Sequence, residues 1–240
     1  MHETDTVDES GLEFAPRFLQ TPRAAGVAGV LFALMFGAIV VLFRSVLPLD
    51  PHSAGASLTD AGHRRDLNVA LGLIPFCGIF FLWFMGAVRS RVGAAEDRFF
   101  ATVFLGSGLL FVAMLFVLAA VFGALITLSG AHSGKPPIDV WRLGRVTTFN
   151  LTTVFAMRMA AVFTIATSTI GLRAGAHTRG VAYLGFLVGA ALLLAASSVP
   201  WLLMAFPVWV LIVGIDLLVH SFRGPDGSSG ASAVVVPATG

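Results

Sequence analysis

The sequence predicts an all-α fold: a polytopic transmembrane bundle of six helical spans with both termini in the cytoplasm. Three observations lead there. Hydrophobic residues make up 57% of the chain and charged residues 12%, against about 25% charged in an average soluble domain. Mean hydropathy is +0.89. Five apolar stretches recur: Ala24–Phe43, Val69–Val88, Phe99–Leu128, Thr147–Leu172 and Val181–Val219. A bilayer core about 30 Å thick needs roughly 20 apolar residues of helix. The first two stretches fit one crossing each. The last is about twice that length and must fold back on itself.

The first 20 residues form an acidic tail, with Glu3, Asp5, Asp8, Glu9 and Glu13. A secretory signal would begin with a basic segment, so the first apolar stretch is expected to remain as an anchor. Residues 21–222 are read as the membrane domain. The second span holds Pro75 between Gly72 and Gly78, a point where neighbouring helices must tolerate a lost backbone bond. Glu96, Asp97 and Arg98 read as the start of the third span, because acidic residues are favoured at a helix N-terminus. Between residues 129 and 146 the sequence reads as a loop followed by a short amphipathic piece. There Trp141 beside Arg142 and Arg145 signals an interface.

The fourth span is the most polar. At about 100° per residue, Thr147, Asn150, Thr153, Arg158, Thr164 and Ser168 share one broad half of the helix. Polar groups facing lipid are costly, so this span should be the most enclosed. In the last stretch, Ser197-Ser198-Val199-Pro200 is the expected break, with serines that can cap and a proline suited to a first turn. Residues 223–240 are small and polar in composition, which predicts a disordered tail.

Orientation follows the basic residues of short loops. With the N-terminus inside, eight basic residues lie inside and six outside. The tight turns at 89–98 and 173–180 are basic, and the turn at Ser197 carries no charge.

Two ionisable residues fall within the later spans, Arg158 and Asp216. A charge at bilayer depth costs at least about 2.5–3.5 kcal/mol, so the two are expected to face the bundle and pair. Counted from the starts of their spans, their depths differ by about 6 Å. Such a pair is either a structural clamp or the core of a gate or solute site, and Asp216 alone can also reach the inner interface. Gly185 and Gly189 form a GxxxG on the fifth span, a signature of close helix contact.

No catalytic, cofactor-binding or metal site is expected. Cys77 is the single cysteine and reads as a small buried hydrophobe. The histidines share no ligand spacing, and no phosphate-binding, zinc-protease or nucleophile-elbow motif occurs. The net charge of +2 is too small to suggest nucleic acid. The halves of the chain do not match as an inverted repeat.

The segments TPRAAGVAGVLFALMFGAIVVLFR, LIPFCGIFFLWFMGAVRSRVGAAEDRFFATVFLGSGLLF and FAMRMAAVF resemble those of uncharacterised multi-pass membrane proteins of actinobacteria. The resemblance covers residues 22–220, and its more specific pieces are Glu96-Asp97-Arg98-Phe99-Phe100 and Met157-Arg158-Met159. It implies a bacterial cytoplasmic membrane and a multi-pass topology, and no activity. The expected role is a non-enzymatic accessory or assembly component, with the lipid bilayer and a membrane protein or a second copy as partners. The alternative is a small-solute or ion transporter organised around the polar fourth span.

Overall fold

The computed structural model describes residues 22–46, 60–92, 98–131, 137–174 and 178–222. Among them there is helix and no strand. In chain order the elements are α1 (Pro22–Val46), α2 (Ala61–Val92), α3 (Arg98–Ala131), α4 (Ile138–Asn150), a π-helical segment (Leu151–Ala156), α5 (Met157–Ala174), α6 (Arg179–Ala195), a 3-10 turn (Pro200–Met204) and α7 (Ala205–Phe222). The expected acidic tail, the C-terminal tail and Glu96 lie outside the described residues.

Five helical runs are long and apolar enough to cross a bilayer, and α6 is a shorter apolar helix. The chain is therefore a helical membrane protein. Its outer surface agrees, because Leu34, Phe76, Leu110, Phe155, Leu187 and Leu194 are all exposed. In water such a belt would be a large apolar patch; in lipid it is the solvent-facing surface.

The fourth span starts earlier than its hydropathy suggests. α4, the π segment and α5 run on without a break, so the amphipathic piece with Arg142 and Arg145 is the first part of the span's own helix. Trp141 does not face outward from the bundle. It is buried with Leu67, Phe122, Leu125 and Val46 in a small second core, and Gly144 lets α4 close onto Leu125. The span is the most enclosed, as its polarity requires. In its most apolar stretch 61% of residues are buried, against 33% to 44% in the other four.

The main core is a phenylalanine cluster. Phe32 and Phe36 of α1, Phe81 of α2, Phe111 of α3, Phe163 of α5 and Phe206 of α7 converge, with centroid separations from 4.9 to 6.4 Å. Several meet at steep interplanar angles, the arrangement aromatic quadrupoles favour. All six side chains are buried.

Glycines bring helices close at two places. A Cβ on Gly26 would lie 2.7 Å from the carbonyl oxygen of Gly214, so α1 and α7 touch backbone to backbone and antiparallel. Pro22 and Phe222 consequently lie at the same end of the bundle. On α6, a Cβ on Gly185 would strike Ser168, and one on Gly189 would come within 3.1 Å of the Ala161 carbonyl. The GxxxG is thus a contact within the chain, against α5.

The last hairpin breaks where expected, between Ala195 and Pro200. The serines do not cap it. Val199 takes the N-cap position without a side-chain hydrogen bond, and backbone bonds from Ser198 and Val199 to the Ala195 carbonyl close the turn.

Candidate functional site

The hairpin is short, and that creates a cavity. Gly189 lies level with Ala161 and Ile165. Six residues on, about 9 Å along the axis, α6 ends near the level of Met157. α1, α3 and α4 all continue past that level. The space above the turn is left open as a vestibule of about 250 Å³.

The turn forms one side of it, through Ala196, Ser197 and Leu203, and its lower apolar wall includes Phe36, Ile39 and Leu115. Phe36 belongs to the phenylalanine cluster, so the vestibule ends on that plug. The polar wall is the π segment and the end of α4: Thr148, Thr152 and Thr153. Two guanidinium side chains, Arg44 on α1 and Arg145 on α4, also line it.

The π segment explains why hydroxyls stand here. A wide turn leaves carbonyls that regular helical bonding does not use, and π-bulges are frequent at functional sites. Met157 N–H bonds Thr152 O, five residues back. Side chains take up the neighbouring carbonyls: Thr152 donates to Thr148 O at 2.8 Å, Thr153 to Phe149 O at 2.8 Å, and Arg158 Nη1 to Val154 O at 2.8 Å. The hydroxyl of Thr148 is buried and makes no such bond. It is the hydroxyl of this wall left with a proton to donate.

Two counts place the vestibule in depth. Arg173, at the opposite end of the span, is twenty-one residues from Thr152, roughly 31 Å of helix. Arg23 and Arg44 bracket α1 with the same spacing. Both match the hydrocarbon thickness of about 30 Å. At one end Arg173 lies over the Phe100 ring, 4.6 Å from its centroid. At the other, Arg44 lies over the exposed Trp201 ring at 5.8 Å. Trp beside a basic residue is an interface marker, and the vestibule lies at the Arg44 end of the bundle.

The expected polar face is only partly assembled. Thr153, Thr164 and Ser168 are buried, whereas Asn150 is exposed and Thr147 half-buried. The π insertion changes the angular step, so residues before and after it lose their common face. Thr164, Thr167 and Thr169 bond back to carbonyls of their own helix, which satisfies them without a ligand. Ser168 Oγ and Trp209 Nε1 flank Gly185 and make no hydrogen bond.

Arg158 and Asp216 are not brought together. The Phe163–Phe206 contact sets α5 and α7 in register. Arg158 is five residues above Phe163, and Asp216 is ten below Phe206. Since the helices run the same way, the two charges lie about 22 Å apart along the axis. Arg158 is near the vestibule end and Asp216 is level with Arg173. The expectation of similar depth fails because it aligned Thr147 with the start of the last span, and α4 and the π segment reach well beyond the hairpin turn.

No protein-family model matches the chain, and neither a curated protein nor a solved structure matches it. The vestibule was not visible in the sequence. Arg145 read as part of a short amphipathic piece outside the fourth span, and of the wall's hydroxyls only Thr153 belonged to the expected polar face.

Proposed function

We propose that this protein is a non-enzymatic accessory component of the bacterial cytoplasmic membrane that holds a small amphiphilic ligand in the vestibule. In this reading the chain crosses six times, with both termini in the cytoplasm and the vestibule facing outside. The observation that carries it is the vestibule's closed end. A polar mouth with two arginines leads down to packed phenylalanine rings and not to a polar channel. Such a site can bind and present a molecule, and in this state it does not pass one across.

Native mass spectrometry of the full chain, extracted from its own membranes in mild detergent, tests the proposal. The protein is expected to carry a small non-covalent molecule. The variant Ser197→Trp, which fills the vestibule from the turn, should be folded and empty. A wild-type chain without a bound molecule, or equal retention by S197W, would overturn the holding role.

A second reading, a solute or ion transporter built on the fourth span, draws on one observation. Ser168 Oγ and Trp209 Nε1 are buried polar groups beneath the plug level. Solute accumulation in proteoliposomes, abolished by Ser197→Trp, would favour that reading.

A further inference from the structure

The vestibule is closed at one end, and two helices measure its length. On α1 the wall runs from Arg44 at the mouth to Phe36 in the phenylalanine cluster. Eight residues separate them, or about 12 Å of helix. On α3 it runs from Phe122 to Leu115, seven residues apart and about 10 Å. Between these ends the lining is aliphatic, through Ile39, Val40, Ile74 and Leu118. Such a wall offers a hydrated group nothing to bond, whereas a hydrocarbon chain needs no partner there.

Length and volume give the same chain. Carbon–carbon bonds of about 1.5 Å at tetrahedral angles advance an extended chain by roughly 1.25 Å per carbon. A depth of about 12 Å therefore holds about ten carbons. By volume, an apolar cavity of about 150 Å³ takes one benzene, six carbons. The vestibule has about 250 Å³, which scales to about ten carbons on the same footing. There is room for one extended chain and not for two side by side.

We propose that the vestibule is a chain-length gauge for a single-chain amphiphile, with Phe36 as its stop. A chain of about ten carbons enters end first beside Ile39 and Leu115 and meets the Phe36 ring, and the polar head stays at the mouth. Phe36 suits the part. It is buried, and its ring centroid lies 5.5 Å from that of Phe32, 5.9 Å from Phe111 and 6.4 Å from Phe206, so it cannot swing away without disturbing three other rings. The gauge rests on the holding role above and adds to it the class of ligand and the residue that sets its length.

The test is equilibrium dialysis of the full-length protein, in one mild detergent, against a series of straight-chain 1-alkanols from hexanol to hexadecanol. Ser197→Trp, dialysed alongside, subtracts what the micelle takes up. Referred to free aqueous alkanol, each methylene buried should tighten binding by about fourfold. The gain is expected to stop near about ten carbons, because further methylenes remain outside. Phe36→Ala should move the stop about three carbons longer. Ile39→Phe fills the vestibule one turn nearer the mouth and leaves the phenylalanine cluster in place. It should move the stop to about six carbons, and it decides the matter if Phe36→Ala does not fold. A gain that runs unbroken to hexadecanol, or a stop that Ile39→Phe leaves where it was, would overturn the gauge and leave the holding role standing. Uptake by the wild type no greater than by Ser197→Trp would overturn both.

Discussion

Gly185 and Ser168 approach so closely that a methyl group at position 185 would collide with the Ser168 hydroxyl, and next with the Trp209 indole nitrogen. This contact locks α6 against α5 and sets how far the last hairpin reaches. Gly185→Ala is expected to destabilise the protein by about 1–3 kcal/mol through overpacking. Ser168→Ala removes a buried hydroxyl that has no hydrogen-bond partner, and should cost little or add stability. In that background Gly185→Ala should cost less, because the first obstacle is gone. Thermal unfolding in one detergent reads all three, and strict additivity would contradict the contact.

Glycines in this chain should differ sharply in their tolerance of alanine. A Cβ on Gly214 would lie 3.0 Å from Gly26 O and 3.3 Å from Val30 N, both backbone atoms that cannot swing aside. Gly106 has nothing within 4 Å of the same position. Gly214→Ala should lower the unfolding temperature. Gly106→Ala should leave it unchanged or raise it, since alanine favours helix by about 1 kcal/mol over glycine. An equal response at both sites would mean that α1 and α7 do not cross where the structure puts them.

Arg158 and Asp216 should behave as independent sites. Charges about 22 Å apart along the bundle axis share no partner, and distant sites add to within about 0.3–0.5 kcal/mol. Arg158→Gln, Asp216→Asn and the double variant, compared by thermal unfolding, should therefore show additivity. Coupling above about 1 kcal/mol would mean that the register fixed by Phe163 and Phe206 is wrong.

Topology can be read with thiols. Cys77 is fully buried in the main core, so Cys77→Ala leaves a silent background. A cysteine at Ser57 should react with an impermeant reagent on intact cells, and one at Gly93 should not. The reverse pattern would place both termini outside.

Much of this architecture is legible from hydropathy, because lipid demands long apolar helices and charged residues collect at their ends. The break before Pro200, the enclosure of the fourth span and the close packing at Gly185 and Gly189 all follow from single residues whose chemistry allows few alternatives. Three things are not legible. The fourth helix begins at Ile138, but its opening turns carry arginines and read as a loop. The π segment depends on threonines and Arg158 bonding back to particular carbonyls, which no 100° count anticipates. Vertical register between spans is set by which phenylalanines meet across the core, and in a chain with 21 phenylalanines many pairings satisfy the same pattern. Without that register, Arg158 and Asp216 look like neighbours and the vestibule does not exist.

The phenylalanine cluster also divides the membrane's electric field. A full crossing carries about 2.3 kcal/mol per charge for each 100 mV. That drop falls across the low-dielectric part of the protein, from the plug to the far interface. Arg44, Arg145 and the vestibule between them stand on the near side, where the potential is still that of the adjoining solution. Occupancy of the vestibule should therefore follow the supply of its ligand on that side, and stay indifferent to whether the membrane is energised.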